Sequence, residues 1–144
     1  MLSRRSALTG LTALPLVAAL PRPSFATPEL KIRDIYVGGG EFSPEAQSLV
    51  GEEVIIPGFM APPLKPDAAF FVLTRRPMAV CPFCDNEADW PRDIVLVKLD
   101  GAIEWLPFNV AIAARGVLEL GTEIDEDTGF VSRVRLVEAE VAVV

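Results

Sequence analysis

The feature that most limits the fold of this chain is a series of short β-branched and aromatic runs, each cut off by glycine or proline. Val54-Ile55-Ile56, Phe70-Phe71-Val72-Leu73 and Ile94-Val95-Leu96-Val97 are the densest, and longer ones cover residues 110–120 and 131–144. Side chains branched at Cβ suit a pleated, half-buried strand better than a helix. Residues 30–37 offer a further candidate strand, closed by Gly38-Gly39-Gly40. Pro57-Gly58 predicts a bulge or bend, because proline cannot donate to a ladder, and Gly116 predicts a bulge within residues 110–120. Residues 121–129 read as an acidic hairpin loop. Ile55 and Val95 are expected to face the interior. Helix signals are few. Ser43 caps a short helix with Pro44 at its first position and Gly51 past its end, and a second short helix is placed near the cysteines. The expectation is a mainly β fold, a small five-stranded OB-like barrel with one or two short helices. A split β-sandwich is the alternative.

A length of 144 residues suits one domain and one core. With 51% hydrophobic and 23% charged residues the chain is not of the disordered class. The 20 acids outnumber the 13 bases, for a net charge of -7. Residues 1–26 hold three of those bases and no acid, so residues 27–144 set only ten bases against all 20 acids. A surface so acidic repels phosphate backbones, and nucleic-acid binding is excluded as an expectation.

Residues 1–26 read as a cleavable address. Ser3-Arg4-Arg5 is followed by a mildly apolar run to Leu20 and by Ser24-Phe25-Ala26, which supplies small residues before a cut. The arginine pair and Leu8 match the twin-arginine export pattern, while Ala7 and Thr9 depart from it. An ordinary secretory signal is the alternative. The apolar run is shorter than the roughly 20 residues needed to span a bilayer. A single small β domain over residues 27–144 is therefore expected in the periplasm or outside the cell, with no stable membrane insertion after cleavage.

The two cysteines stand three apart, in Cys81-Pro82-Phe83-Cys84, with Asp85, Glu87 and Asp89 close behind. In an oxidising compartment such a pair joins as a disulfide, which is the leading expectation, with no cofactor. Zinc held by Cys81, Cys84, Asp85 and Asp89 is the alternative, although thiolate and carboxylate ligands favour different ions. The spacing also fits a thiol–disulfide oxidoreductase, but the run after Cys84 lacks the βαβ context of such enzymes. The chain has no histidine, so neither a Ser-His-Asp nor a Cys-His arrangement can form within it. Gly38-Gly39-Gly40 lacks the Gly-Lys-Ser/Thr of a phosphate loop and reads as a turn. Asp125-Glu126-Asp127-Thr128-Gly129 lacks the spacing of a calcium loop and reads as a turn with a charged tip. Phe59, Met60, Phe83, Asp85, Trp90 and Trp105 form the candidate binding surface.

Residues 51–62, Gly-Glu-Glu-Val-Ile-Ile-Pro-Gly-Phe-Met-Ala-Pro, resemble the core of a family of small exported bacterial proteins of uncharacterised function. The likeness extends over Phe70-Phe71-Val72-Leu73, Ile94-Val95-Leu96-Val97, Arg115-Gly116-Val117-Leu118 and residues 131–141. It implies a binding or accessory role beside an envelope ABC-type transport or metal-handling system. The absence of histidine sets this chain apart from the metal-linked members. The functional expectation is a soluble periplasmic binding or accessory module, not an enzyme, serving an unknown protein partner or small ligand. The alternative is a thiol–disulfide oxidoreductase centred on Cys81 and Cys84.

Overall fold

The structure is a computed structural model and describes residues 26–63, 68–79 and 93–144. Five strands form one closed ring: β1 (Glu53–Met60), β2 (Phe70–Thr74), β3 (Ile94–Leu99), β4 (Ala111–Ile124) and β5 (Val131–Val143), ordered β1-β2-β3-β5-β4. All neighbours are antiparallel except β3 and β5. The OB-like barrel is thus the observed fold. Helix is scarce among the described residues: α1 (Pro44–Ser48) and two 3-10 turns, Ile32–Asp34 and Gly38–Gly40. The capping signal at Ser43 does what its position predicts. Its Oγ accepts from the Ala46 amide at 3.1 Å and donates to the Asp34 carbonyl at 2.6 Å, which ties α1 to the preceding turn.

Alternation sets the interior. Val54, Ile56 and Met60 of β1 meet Ile112, Ala114 and Leu118 of β4 and Val134 and Leu136 of β5 in one buried cluster. Strands β2 and β3 are buried on both faces, which is why their runs are continuously apolar. Phe71, Leu73, Val95 and Val97 point into the main core. Phe70, Val72, Ile94 and Leu96 pack outside it with Ala61 and Phe130, the Phe70 and Phe130 rings lying 5.3 Å apart.

Four local expectations are corrected. Residues 30–37 do not form a strand. Instead, the segment straps the open edge of β1: the Leu30 amide donates to the Ile55 carbonyl and the Ile55 amide to the Pro28 carbonyl, both at 2.9 Å. Leu30, Ile32 and Ile35 then drop into the core through a 3-10 turn. Ile55 therefore faces away from the interior and is half-buried, while Val95 is fully buried as expected. Pro57-Gly58 makes no bulge, since pairing with Ala113 and Ile112 runs through unbroken. Amide direction alternates along a strand, so position 57 points to the same edge as Ile55. There it falls between the strap at Ile55 and β2 at Phe59, where no ladder partner waits for a donor.

The last correction concerns Gly116. Two steps on β4 from Arg115 to Val117 match three on β5 from Glu140 to Val137, and β3 shows the same excess against β5. The extra residue belongs to β5. Glu138 carries it, at φ 50, and Gly116 is the residue opposite, where a Cβ would stand 2.8 Å from the Val137 carbonyl oxygen. A second bulge lies on β4 at Gly121 (φ 115). The adjoining hairpin is closed by Asp125, whose Oδ1 accepts from the Thr128 amide and hydroxyl, each at 2.9 Å. Burial pushes the Asp125 carboxyl up, but the two Thr128 bonds, together with the Lys98 charge and the Asp127 amide, leave the group below its ordinary range. The charged-tip turn is the observed one.

Candidate functional site

The four cations carried by the described strands, Lys98, Arg115, Arg133 and Arg135, are already engaged. Arg115 pairs with Glu53 on adjacent strands, its Nε 2.7 Å from Oε1. Lys98 of β3 reaches Glu123 of β4 at 3.0 Å. Arg135 of β5, with a side chain only 5% exposed, bonds Glu119 at 3.1 Å, Glu123 at 3.3 Å and the Gly121 carbonyl at 2.8 Å. Its burial is matched by partners, as a buried guanidinium requires. Arg133 lies over the Phe42 and Tyr36 rings, at 5.0 and 5.7 Å from their centroids.

Three of the four other described cations converge, Arg76 being the exception. Lys31 and Arg33 flank the buried Ile32 on the 3-10 turn, and Arg75 leaves the end of β2. Together with Pro57, Gly58 and Phe59 of β1, Ala111 and Ile112 of β4, and Val144, they line a cleft of about 310 Å³. Its floor is mostly apolar. Arg33 and Arg75 also line a second, more polar cavity of about 310 Å³ with Tyr36, Val37, Gly38 and Asp93. Arg33 and Arg75 are thus shared by an apolar and a more polar compartment. Lys31 and Arg75 make no ion pair with a described acid, and Arg33 has only the adjacent Asp34 at 3.7 Å, with both side chains well exposed. Such a pair holds its partner weakly.

The candidate binding surface divides. Phe59 is half-buried and lines the cationic cleft. Met60, one residue on, is 2% exposed and turned inward, and its Sδ accepts from the Leu106 amide at 3.5 Å. Trp105 packs half-buried against the main core. Met60 borders a different cavity, of about 480 Å³, whose rim carries Asp100, Glu104 and Glu140. Alternation along β1 separates Phe59 from Met60. Cys81, Phe83, Cys84, Asp85, Asp89 and Trp90 lie outside the described residues, and with them the disulfide, zinc and redox readings. Among the described residues no three acidic or metal-ligating side chains come together as a metal site.

Lys31, Arg33 and Arg75 do not stand out in the sequence as site residues. One signal for Arg75 is present. Arg75-Arg76 stands midway through the longest acid-free stretch of residues 27–144, bounded by Asp67 and Asp85. Nothing comparable marks Lys31 or Arg33, because Glu29 and Asp34 lie beside them in sequence.

No family model matches the chain, and no curated protein matches it. Among solved structures it is similar to a DUF3299 family protein from Pseudomonas aeruginosa PAO1, determined by crystallography. The TM-score is 0.51 at 16% identity, over 83% of this chain and 97% of that one. At such low identity the likeness is one of fold. The class that the fold defines is a small, closed, OB-like β-barrel, and its structural neighbour belongs to a family of uncharacterised function.

Proposed function

We propose that this protein is a binding or accessory module of the bacterial envelope and that the cleft beside Phe59 is its ligand-facing surface. The observation that supports this reading is the gathering of Lys31, Arg33 and Arg75 around an apolar floor on a strongly acidic chain. Uncompensated charge beside an apolar wall is what a recognition site requires: the wall contributes burial and the charge sets orientation. Among the described cations outside the cleft, Lys98, Arg115 and Arg135 sit in ion pairs and Arg133 lies over two rings, while Arg76 is exposed next to Arg75.

Residues 1–26 supply the export address in this reading, and Cys81 and Cys84 join after export. A transport or metal-handling system of the envelope is the setting in which such a module would serve. One preparation tests the set. Material isolated from the periplasm is weighed by native and by denaturing mass spectrometry. The expected denatured mass corresponds to cleavage after Ala26, about 2 Da below the fully reduced chain. The native spectrum should carry a bound adduct that is lost on denaturation. An adduct-free protein that sustains insulin reduction would instead establish the oxidoreductase reading.

A further inference from the structure

The two adjoining cavities differ in character, and Arg33 and Arg75 are shared by both. On one side lie Pro57, Phe59, Ala111 and Ile112; on the other lie Tyr36, Gly38 and Asp93. An occupant confined to the polar side would bring its acid group toward Asp93. An uncharged apolar occupant would leave Arg33, Arg75 and Lys31 facing an oily neighbour, with desolvation cost and no return. The arrangement is satisfied by a molecule of two parts.

Resting on the reading of this cleft as the binding face, we propose that it takes a small organic acid with an apolar tail. The acid group is held by Arg33 and Arg75, with Lys31 adding charge at the rim. The tail lies along Pro57, Phe59, Ala111 and Ile112. Guanidinium groups suit this task, because their planar donor forks match a carboxylate or phosphate oxygen pair. The cleft volume, about 310 Å³, lies at the small end of ligand sites and favours a single short tail. The occupant is therefore a free amphiphilic acid and not a lipid embedded in a bilayer.

Decanoate is the probe, measured by calorimetry on the mature protein, with decanol, acetate and anionic phosphatidylglycerol vesicles as separate arms. Decanoate is expected to bind, with decanol and acetate each at least tenfold weaker and the vesicles not retained. Arg33→Ala and Arg75→Ala should each weaken decanoate at least tenfold, and Arg75→Lys less than Arg75→Ala. Both side chains are exposed, so a matching thermal midpoint will show that the variants are folded. Equal affinity for decanol and decanoate would overturn the charge-recognition inference while leaving a binding cleft. Binding to vesicles alone would overturn the free-acid assignment. Failure of every probe, alongside a native adduct that persists in Arg75→Ala, would place the ligand elsewhere and overturn both inferences. The same failure with an adduct that Arg75→Ala abolishes would overturn the ligand class alone.

Discussion

Neighbouring residues of β1 have opposite fates. Ile56 is fully buried, and truncation to alanine is expected to cost about 2–5 kcal/mol by chemical denaturation, through lost burial and the cavity left behind. Ile55→Ala, on the half-buried outer face under the strap, should cost less than half as much. Equal losses would contradict the facing assigned to β1. Glu123 gives a second residue-level test. The Lys98 hydrogen bond is the main influence holding its carboxyl below the ordinary value, reinforced by Arg135 and opposed by burial. Because the folded pKa is depressed, the stabilisation is present above the unfolded value and lost as pH falls through the folded one. The window thus lies on the acid side of about pH 4.5. The wild-type thermal midpoint should fall between about pH 6 and about pH 3, and Glu123→Gln should reduce the part of that fall due to this group. Identical falls in both proteins would remove Glu123 from the account. Its side chain is 44% exposed, so solvent screening keeps the effect small.

At the scale of elements, the ring closes through tight approaches at Gly116, described above, and at Gly58. A Cβ on Gly58 would lie 2.6 Å from the Thr74 carbonyl oxygen, where β1 leaves the strap and takes up β2. That oxygen belongs to the backbone and cannot swing aside. Gly58→Ala is expected to cost about 1–3 kcal/mol by forcing the strands apart. Gly101→Ala, where nothing lies within 4 Å, should stay within about 0.5 kcal/mol. Matching denaturation midpoints for the two variants would show that the β1–β2 seam is looser than this. The loose alternation along residues 131–144 has its cause here as well. Glu138 inserts an extra residue and Arg135 is buried among partners, so the two-residue period breaks twice within β5.

For the molecule as a whole, the strand runs and the capped helix are legible in sequence because each depends on local chemistry. Continuous runs such as Phe70-Phe71-Val72-Leu73 announce two covered faces, and Ser43 with Pro44 announces a helix start. Which partner carries a bulge is not legible, because the register between β4 and β5 depends on both strands. The strap escapes a sequence reading for a similar reason: Leu30, Ile32 and Ile35 look strand-like, but only the vacant edge of β1 decides how they are used. The candidate site is legible only at Phe59 and, through an acid-free stretch, at Arg75. Its charge arises from residues 31, 33 and 75, brought together by the ring. The strap also fixes where the folded part of the chain can start. Pairing begins at Pro28, with exposed Ala26 just ahead and Thr27 between them, its Oγ1 accepting from Arg115 at 3.0 Å. A peptidase clipping in from that end runs out of slack within two residues. Going further would strip the Ile55 amide of its acceptor and begin to unseat Leu30 from the core.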